Sequence, residues 1–154
     1  MLTPQKKDMP MKRLLLLLCI PVLLIGCGDD NNPADAGGRP IADETFSVSG
    51  GAYREFHFTL DADVQRNAFL QGSVEVQNGS IEIAVMDENN FQIWQSGNTP
   101  AVLYSPGLTP RATFRLPIDT SDTYYLVFSN IQGTEARVVK SEIFLFSTID
   151  AGEL

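Results

Sequence analysis

With 154 residues, 44% hydrophobic and 19% charged, the chain has room for one domain whose core needs no metal or disulfide support. Its 19 acidic side chains outnumber 11 basic ones, and from Cys27 onward the balance is eighteen against seven, a formal −11. Such a surface repels phosphate backbones and anionic lipid, so it argues against nucleic acid as a partner and against membrane contact through a broad basic patch.

The first recognisable element is Met11-Lys12-Arg13 followed by the apolar run Leu14 to Ile25. Twelve helical residues span only about 18 Å. A bilayer core is about 30 Å thick, so the run reads as the h-region of a secretory signal peptide occupying residues 1–26. Translation can start at Met1 or at Met11. The run ends in Leu24-Ile25-Gly26-Cys27, which resembles the lipobox of bacterial lipoproteins. That resemblance implies cleavage after Gly26, a diacylglycerol on the Cys27 thiol and acylation of the new amino group. Two or three acyl chains hold a protein firmly, where one holds it only marginally. Gly28 and Asp29 occupy the sorting positions of such proteins. With Gly28, not Asp, directly after the cysteine, the resemblance favours the outer membrane, facing the periplasm or the surface. Cys19 is removed with the signal peptide, so the expected folded part has no cysteine.

Residues 27–44 are rich in Gly, Asp, Asn, Pro and Ala and nearly free of bulky apolar side chains. They read as a lipidated cysteine and a disordered tether. A sandwich domain is expected over 45–150. There the apolar period is two: Phe56, Phe58 and Leu60; Leu70, Gly72, Val74 and Val76; Ile81, Ile83 and Val85; Ala112, Phe114 and Leu116. Thr123 to Asn130 is apolar on both faces and reads as a central strand, and Ala136 to Thr148 as another long one. Asn78-Gly79 is a hairpin signal. Asp87 to Asn90 and Asp119 to Asp122 read as polar turns, and Ser96 to Pro110, with three prolines, as the longest irregular loop. No ten-residue stretch carries a helical period. About eight short strands, antiparallel where hairpins are visible, define an all-β sandwich.

The stretch from about Phe46 to Thr148, through motifs lying between Gly79 and Asn130, resembles GOLD-type (Golgi-dynamics) β-sandwiches and related bacterial extracytoplasmic modules. The matching residues are Val85, Asp87, Asn90, Trp94, Tyr124, Phe128 and Asn130. The resemblance implies a jelly-roll-like sandwich, with a short aromatic strand around Trp94, used for protein or ligand binding.

Candidate chemistry is sparse. The single histidine, His57, stands on the polar face of a strand, and no G-x-S-x-G, C-x-x-C, H-E-x-x-H or P-loop is present. No cofactor is expected, and the chain reads as a non-enzyme. Asp87, Asn90, Asp119 and Asp122 are weak calcium candidates, since calcium takes six to eight oxygens and turn clusters can supply them. Trp94, Tyr104 and Tyr53 are candidates for an exposed aromatic platform. In strand parity Trp94 lies opposite Phe91 and Ile93, which would turn it to solvent, but aromatic side chains in a sandwich more often belong to the core. The expected function is a lipid-anchored cell-envelope module that docks a protein partner. The alternative is a carbohydrate-binding head recognising cell-wall or extracellular glycan.

Overall fold

Strands that are apolar on one side need a second sheet to bury that side against. The computed structural model describes residues 37–149, which form two four-stranded sheets and one short helix. The elements are β1 (Arg39–Val48), β2 (Tyr53–Leu60), β3 (Gln65–Gln77), β4 (Ile81–Asp87), α1 (Glu88–Gln95), β5 (Tyr104–Thr109), β6 (Arg111–Pro117), β7 (Asp122–Ser129) and β8 (Arg137–Ile149). Sheet A has the order β1-β8-β3-β6 and sheet B the order β2-β7-β4-β5. First pairs with last, β2 with β7, β3 with β6 and β4 with β5, all antiparallel. This is one long hairpin wound over itself, the jelly-roll winding.

Inward-facing Phe46, Phe58, Leu60, Leu70, Ile83, Leu126, Phe128, Ile143 and Leu145 meet between the sheets in one continuous core. One open side, between edge strands β1 and β2, is closed by Arg54. Its guanidinium lies over the Phe46 ring at 4.5 Å and the Phe56 ring at 4.9 Å, and bonds Glu44 at 2.6 Å. At one end the buried Tyr124 starts β7 and donates its hydroxyl to the Thr120 carbonyl at 2.7 Å. The bond pins the β6–β7 corner as tyrosine corners do in other sandwiches. At the opposite end the buried Asn130 donates to the carbonyls of Val48 (3.1 Å) and Glu135 (2.8 Å), tying the β7–β8 loop to the end of β1.

Four sequence expectations need correcting. The sandwich starts at Arg39, six residues before Thr45. This apolar-poor stretch is ordered by backbone pairing along β8, and its Pro40 is tolerated on an edge strand beside an irregularity in register. Asn78 and Gly79 do turn, both with positive φ, but they join strands of different sheets. The edges of β3 are already taken by β8 and β6, so β4 cannot pair with it. The stretch Ser96 to Pro110 is not wholly irregular, because Tyr104–Thr109 forms edge strand β5. Its Pro106 and Gly107 accompany a register shift against β4. The fourth correction is α1, which replaces the short aromatic strand and part of a polar turn.

Candidate binding groove

The two central strands of sheet B are apolar on both faces. Tyr124, Leu126 and Phe128 of β7 point into the core, which leaves Tyr125 and Val127 on the outer face. Ala84 and Met86 of β4 lie outward beside them. An outer face of this kind needs a roof, and α1 provides it. Asp87 caps the helix, its carboxylate accepting from the Asn90 backbone N–H at 2.8 Å and from the Asn90 amide. Asn90 in turn accepts from the Ala101 N–H at 2.8 Å, which fastens the returning loop to the first turn.

Helical spacing puts Phe91 and Trp94 on the same face, three residues apart. Phe91 is buried and stacks on Tyr125 with ring centroids 4.0 Å apart. Trp94 stacks beside Phe91 at 6.0 Å and meets Tyr53 edge-on at 4.8 Å. The Tyr53 hydroxyl accepts from Gln95 at 2.9 Å. Trp94 lies on a helix and not on a strand, so parity does not apply: the indole is half-buried and turned toward the sheet, nearer the core alternative than the solvent one. The signal was there in the Asp87-x-x-Asn90 cap followed by Phe91 and Trp94, but an eight-residue helix is shorter than the ten-residue stretch the reading required.

Beyond the helix the cover is thinner, with Met86 and Val127 buried but Ala84 partly exposed. A groove of about 270 Å³ remains, floored by Ala84, Met86 and Val127 and walled by Trp94, Pro100 and Val102 on one side and Ser105 and Gly107 on the other. Glu82 and Ser129 mark its end. The same two residues open a second depression of about 490 Å³, bordered by Leu108, Gln132, Thr134 and Arg137. Arg137 bonds Glu135 at 3.5 Å. Glu82 is exposed and has no ion-pair partner among the described residues.

Of the three platform candidates, Tyr53 and Trp94 come together and Tyr104 does not. Tyr104 turns inward onto Phe114 at 4.6 Å and packs on the main core. Burial raises its phenol above the ordinary value. Pairing of Asp87 with Tyr124 brings the two acidic turn clusters to the same end of sheet B. Burial chiefly, then the charges of Asp122, Asp119 and Asp87, raises the Tyr124 phenol, against a lowering by its bond to Thr120. Asp87 is committed to its cap, and Asp122 accepts from the Thr123 N–H at 2.6 Å. Among the described residues, no three acidic, histidine or cysteine side chains converge as a metal site would require. His57 leans on Tyr125 at 5.7 Å on the outer face of β2. Gly26, Cys27, Gly28 and Asp29 lie outside the described residues.

No family model matches the chain, and no curated protein matches it.

Proposed function

We propose that the protein is a lipid-anchored, non-catalytic binding module of the bacterial cell envelope, held by acylated Cys27 and docking a protein partner in the groove beside α1. The anchor reading is supported by Leu24-Ile25-Gly26-Cys27 at the end of a short apolar run. The observation that carries the docking reading is a groove whose apolar floor and wall, the partly exposed Ala84, Trp94, Pro100 and Val102, stand over the buried Met86 and Val127. Such a floor favours an apolar side chain over a sugar hydroxyl, because buried polar groups need hydrogen-bond partners that it lacks. Unpaired Glu82 at the groove's end and the net −11 beyond Cys27 favour a partner with a cationic group next to its apolar anchor.

Two measurements test this. Metabolic labelling with radioactive palmitate is expected to mark the protein and to be abolished in Cys27→Ser, which then leaves the membrane fraction. A photo-crosslinker at Val102 in living cells is expected to trap one dominant envelope protein, and Glu82→Lys and Ala84→Phe each to suppress the adduct. An equal adduct from a crosslinker at Thr113, on the outer face of sheet A, or indifference to both groove variants, refutes the groove as the docking site.

A further inference from the structure

The end of the sandwich where the chain comes in carries its own apolar corner. Phe69 and Phe146, outward-facing on neighbouring strands β3 and β8, stack with centroids 5.1 Å apart and nearly parallel planes. The guanidinium of Arg115 from β6 lies over Phe69 at 3.9 Å. Gly38 crosses this stack so closely that a Cβ there would meet the Phe146 ring at 2.8 Å. A cavity of about 480 Å³ opens beside it, lined by Arg39, Phe69, Phe146 and Ile149 among others. Ile149 is 73% exposed, and Val64, just before its pairing partner Gln65, is 47% exposed. Ile149, on the strand face of Ile143 and Leu145, and the Phe69–Phe146 stack on the other face thus meet at one end of sheet A, near exposed Val64, with Arg115 over Phe69 and Arg39 donating to the Thr59 carbonyl at 3.2 Å.

We infer that this corner rests on the bilayer surface, with Ile149 and Val64 reaching the boundary between headgroups and acyl chains and Arg39 and Arg115 facing lipid phosphates. The inference rests on the anchor reading above and adds an orientation to it. What points to lipid as the occupant is the length and end point of the chain leading to the corner. Nine residues separate Cys27 from Gly37, and the ten Cα–Cα steps between them span at most about 36 Å in any conformation. An acylated Cys27 therefore keeps this end of the head near the membrane. Apolar side chains flanked by arginine suit that boundary, where the apolar stem is buried and the charge stays with the phosphates. The acidic residues at this end, Asp61, Asp63, Asp119 and Asp122, belong to the loops that end β2 and begin β7. Their repulsion from phosphate tips the head toward the sheet A corner.

The cysteine inventory makes the test clean, because after Cys27 the chain has no other thiol. Ile149→Cys, and separately Gln77→Cys at the far end of β3, are labelled with an environment-sensitive dye in the lipidated full protein. The labelled proteins are reconstituted in phosphatidylethanolamine/phosphatidylcholine vesicles carrying a headgroup-level spin-label quencher. The expected result is quenching at position 149 at least about twice that at position 77, with the contrast reduced by Arg39→Glu combined with Arg115→Glu. Protein that floats with the vesicles but is quenched equally at both positions overturns the orientation and leaves the anchor standing. Protein that does not float, or floats equally well as Cys27→Ser, overturns both. Equal shielding of the 149 dye in lipid-free protein assigns the cover to the chain's own last five residues, and the inference falls.

Discussion

Phe91→Ala isolates what α1 does for the outer face of sheet B. Alanine is the better helix former, so a loss of stability on this change comes from packing and not from helix propensity. Phe91 is 5% exposed, stacks on Tyr125 at 4.0 Å, and supports Trp94 at 6.0 Å. Truncating a buried phenylalanine costs about 3–5 kcal/mol. The cluster of Met86, Phe91 and Val127 is a small one outside the main core, where neighbours can relax into the gap. The lower end, about 3 kcal/mol, therefore applies. That is a large share of the roughly 5–15 kcal/mol that holds a domain together. Trp94 is the sole tryptophan, so urea unfolding followed by its emission reports stability and local packing together. The expected outcome is a midpoint shift of about 3 kcal/mol with a red-shifted native emission, while Ile93→Ala, at a half-buried position, costs about 1 kcal/mol or less. If Phe91→Ala costs less than about 1 kcal/mol and leaves the emission unmoved, α1 is not a docked roof and the groove beside it has no fixed wall.

Three further outcomes follow from the packing. Asn130→Ala strands the carbonyls of Val48 and Glu135 at a buried position, and is expected to cost about 2–3 kcal/mol in urea unfolding. Tyr124→Phe removes the bond to Thr120, with an expected loss of about 1 kcal/mol near neutral pH. The raised Tyr124 phenol binds its proton more tightly in the folded state than in the unfolded chain. Its contribution is whole below the ordinary phenol value of about 10 and is lost as pH climbs through the raised folded value. Stability should fall more steeply above that pH in the wild type than in Tyr124→Phe, with Tyr104 supplying the remaining slope of the same sign. Gly72→Ala should cost about 2–3 kcal/mol by thermal melting, because a Cβ there meets the Glu142 carbonyl oxygen and the Ile143 Cα at 2.6 Å. Those are backbone atoms of the paired strand and cannot swing aside, so an unchanged melting temperature would refute that packing.

Strand existence was legible because each strand's pairing surface is local: Phe56, Phe58 and Leu60 alternate within one short segment, whatever they face. Strand partnership was not legible, because in a jelly roll the partner of β1 is β8, some hundred residues away. Asn78-Gly79 shows the difference. Its positive φ values were readable from residue type, yet whether the next strand pairs or crosses depends on what already occupies the edges of β3. The sandwich boundary was misplaced for a related reason, since Arg39 to Glu44 is ordered by the distant ladder of β8, with only Ile41 and Ala42 of its side chains packing on the core. Trp94 and Tyr53 were readable as site candidates from their type. Their meeting, and the inward turn of Tyr104, depend on the helix and on the path by which the chain returns through Asn90 and Ala101 to β5.

The asymmetry between the two outer faces is the part of the sequence that bears most directly on function. Away from the Phe69–Phe146 corner, the outer face of sheet A meets water on its own terms. Ser73 and Thr113 stand among ion pairs of Glu75 with Arg111 at 2.9 Å and Lys140 with Glu142 at 2.7 Å. The hydrogen bond to Glu142 and its charge raise the Lys140 ammonium. Sheet B cannot do the same, because β7 places Tyr125 and Val127 where a solvated strand would carry polar residues. Such a strand forces the chain to spend residues on a roof, and the eight residues of α1 reach only about 12 Å. The eight residues of β7 extend about 26 Å. Even laid along the strands, the helix leaves more than half of that length uncovered. Part of the remainder is covered by the loop through Pro100 and Val102, and the rest is the groove. The fold buries Met86 and Val127 there but leaves Ala84, Trp94, Pro100 and Val102 partly exposed, and a partner that presents an apolar side chain against them completes the burial that α1 begins.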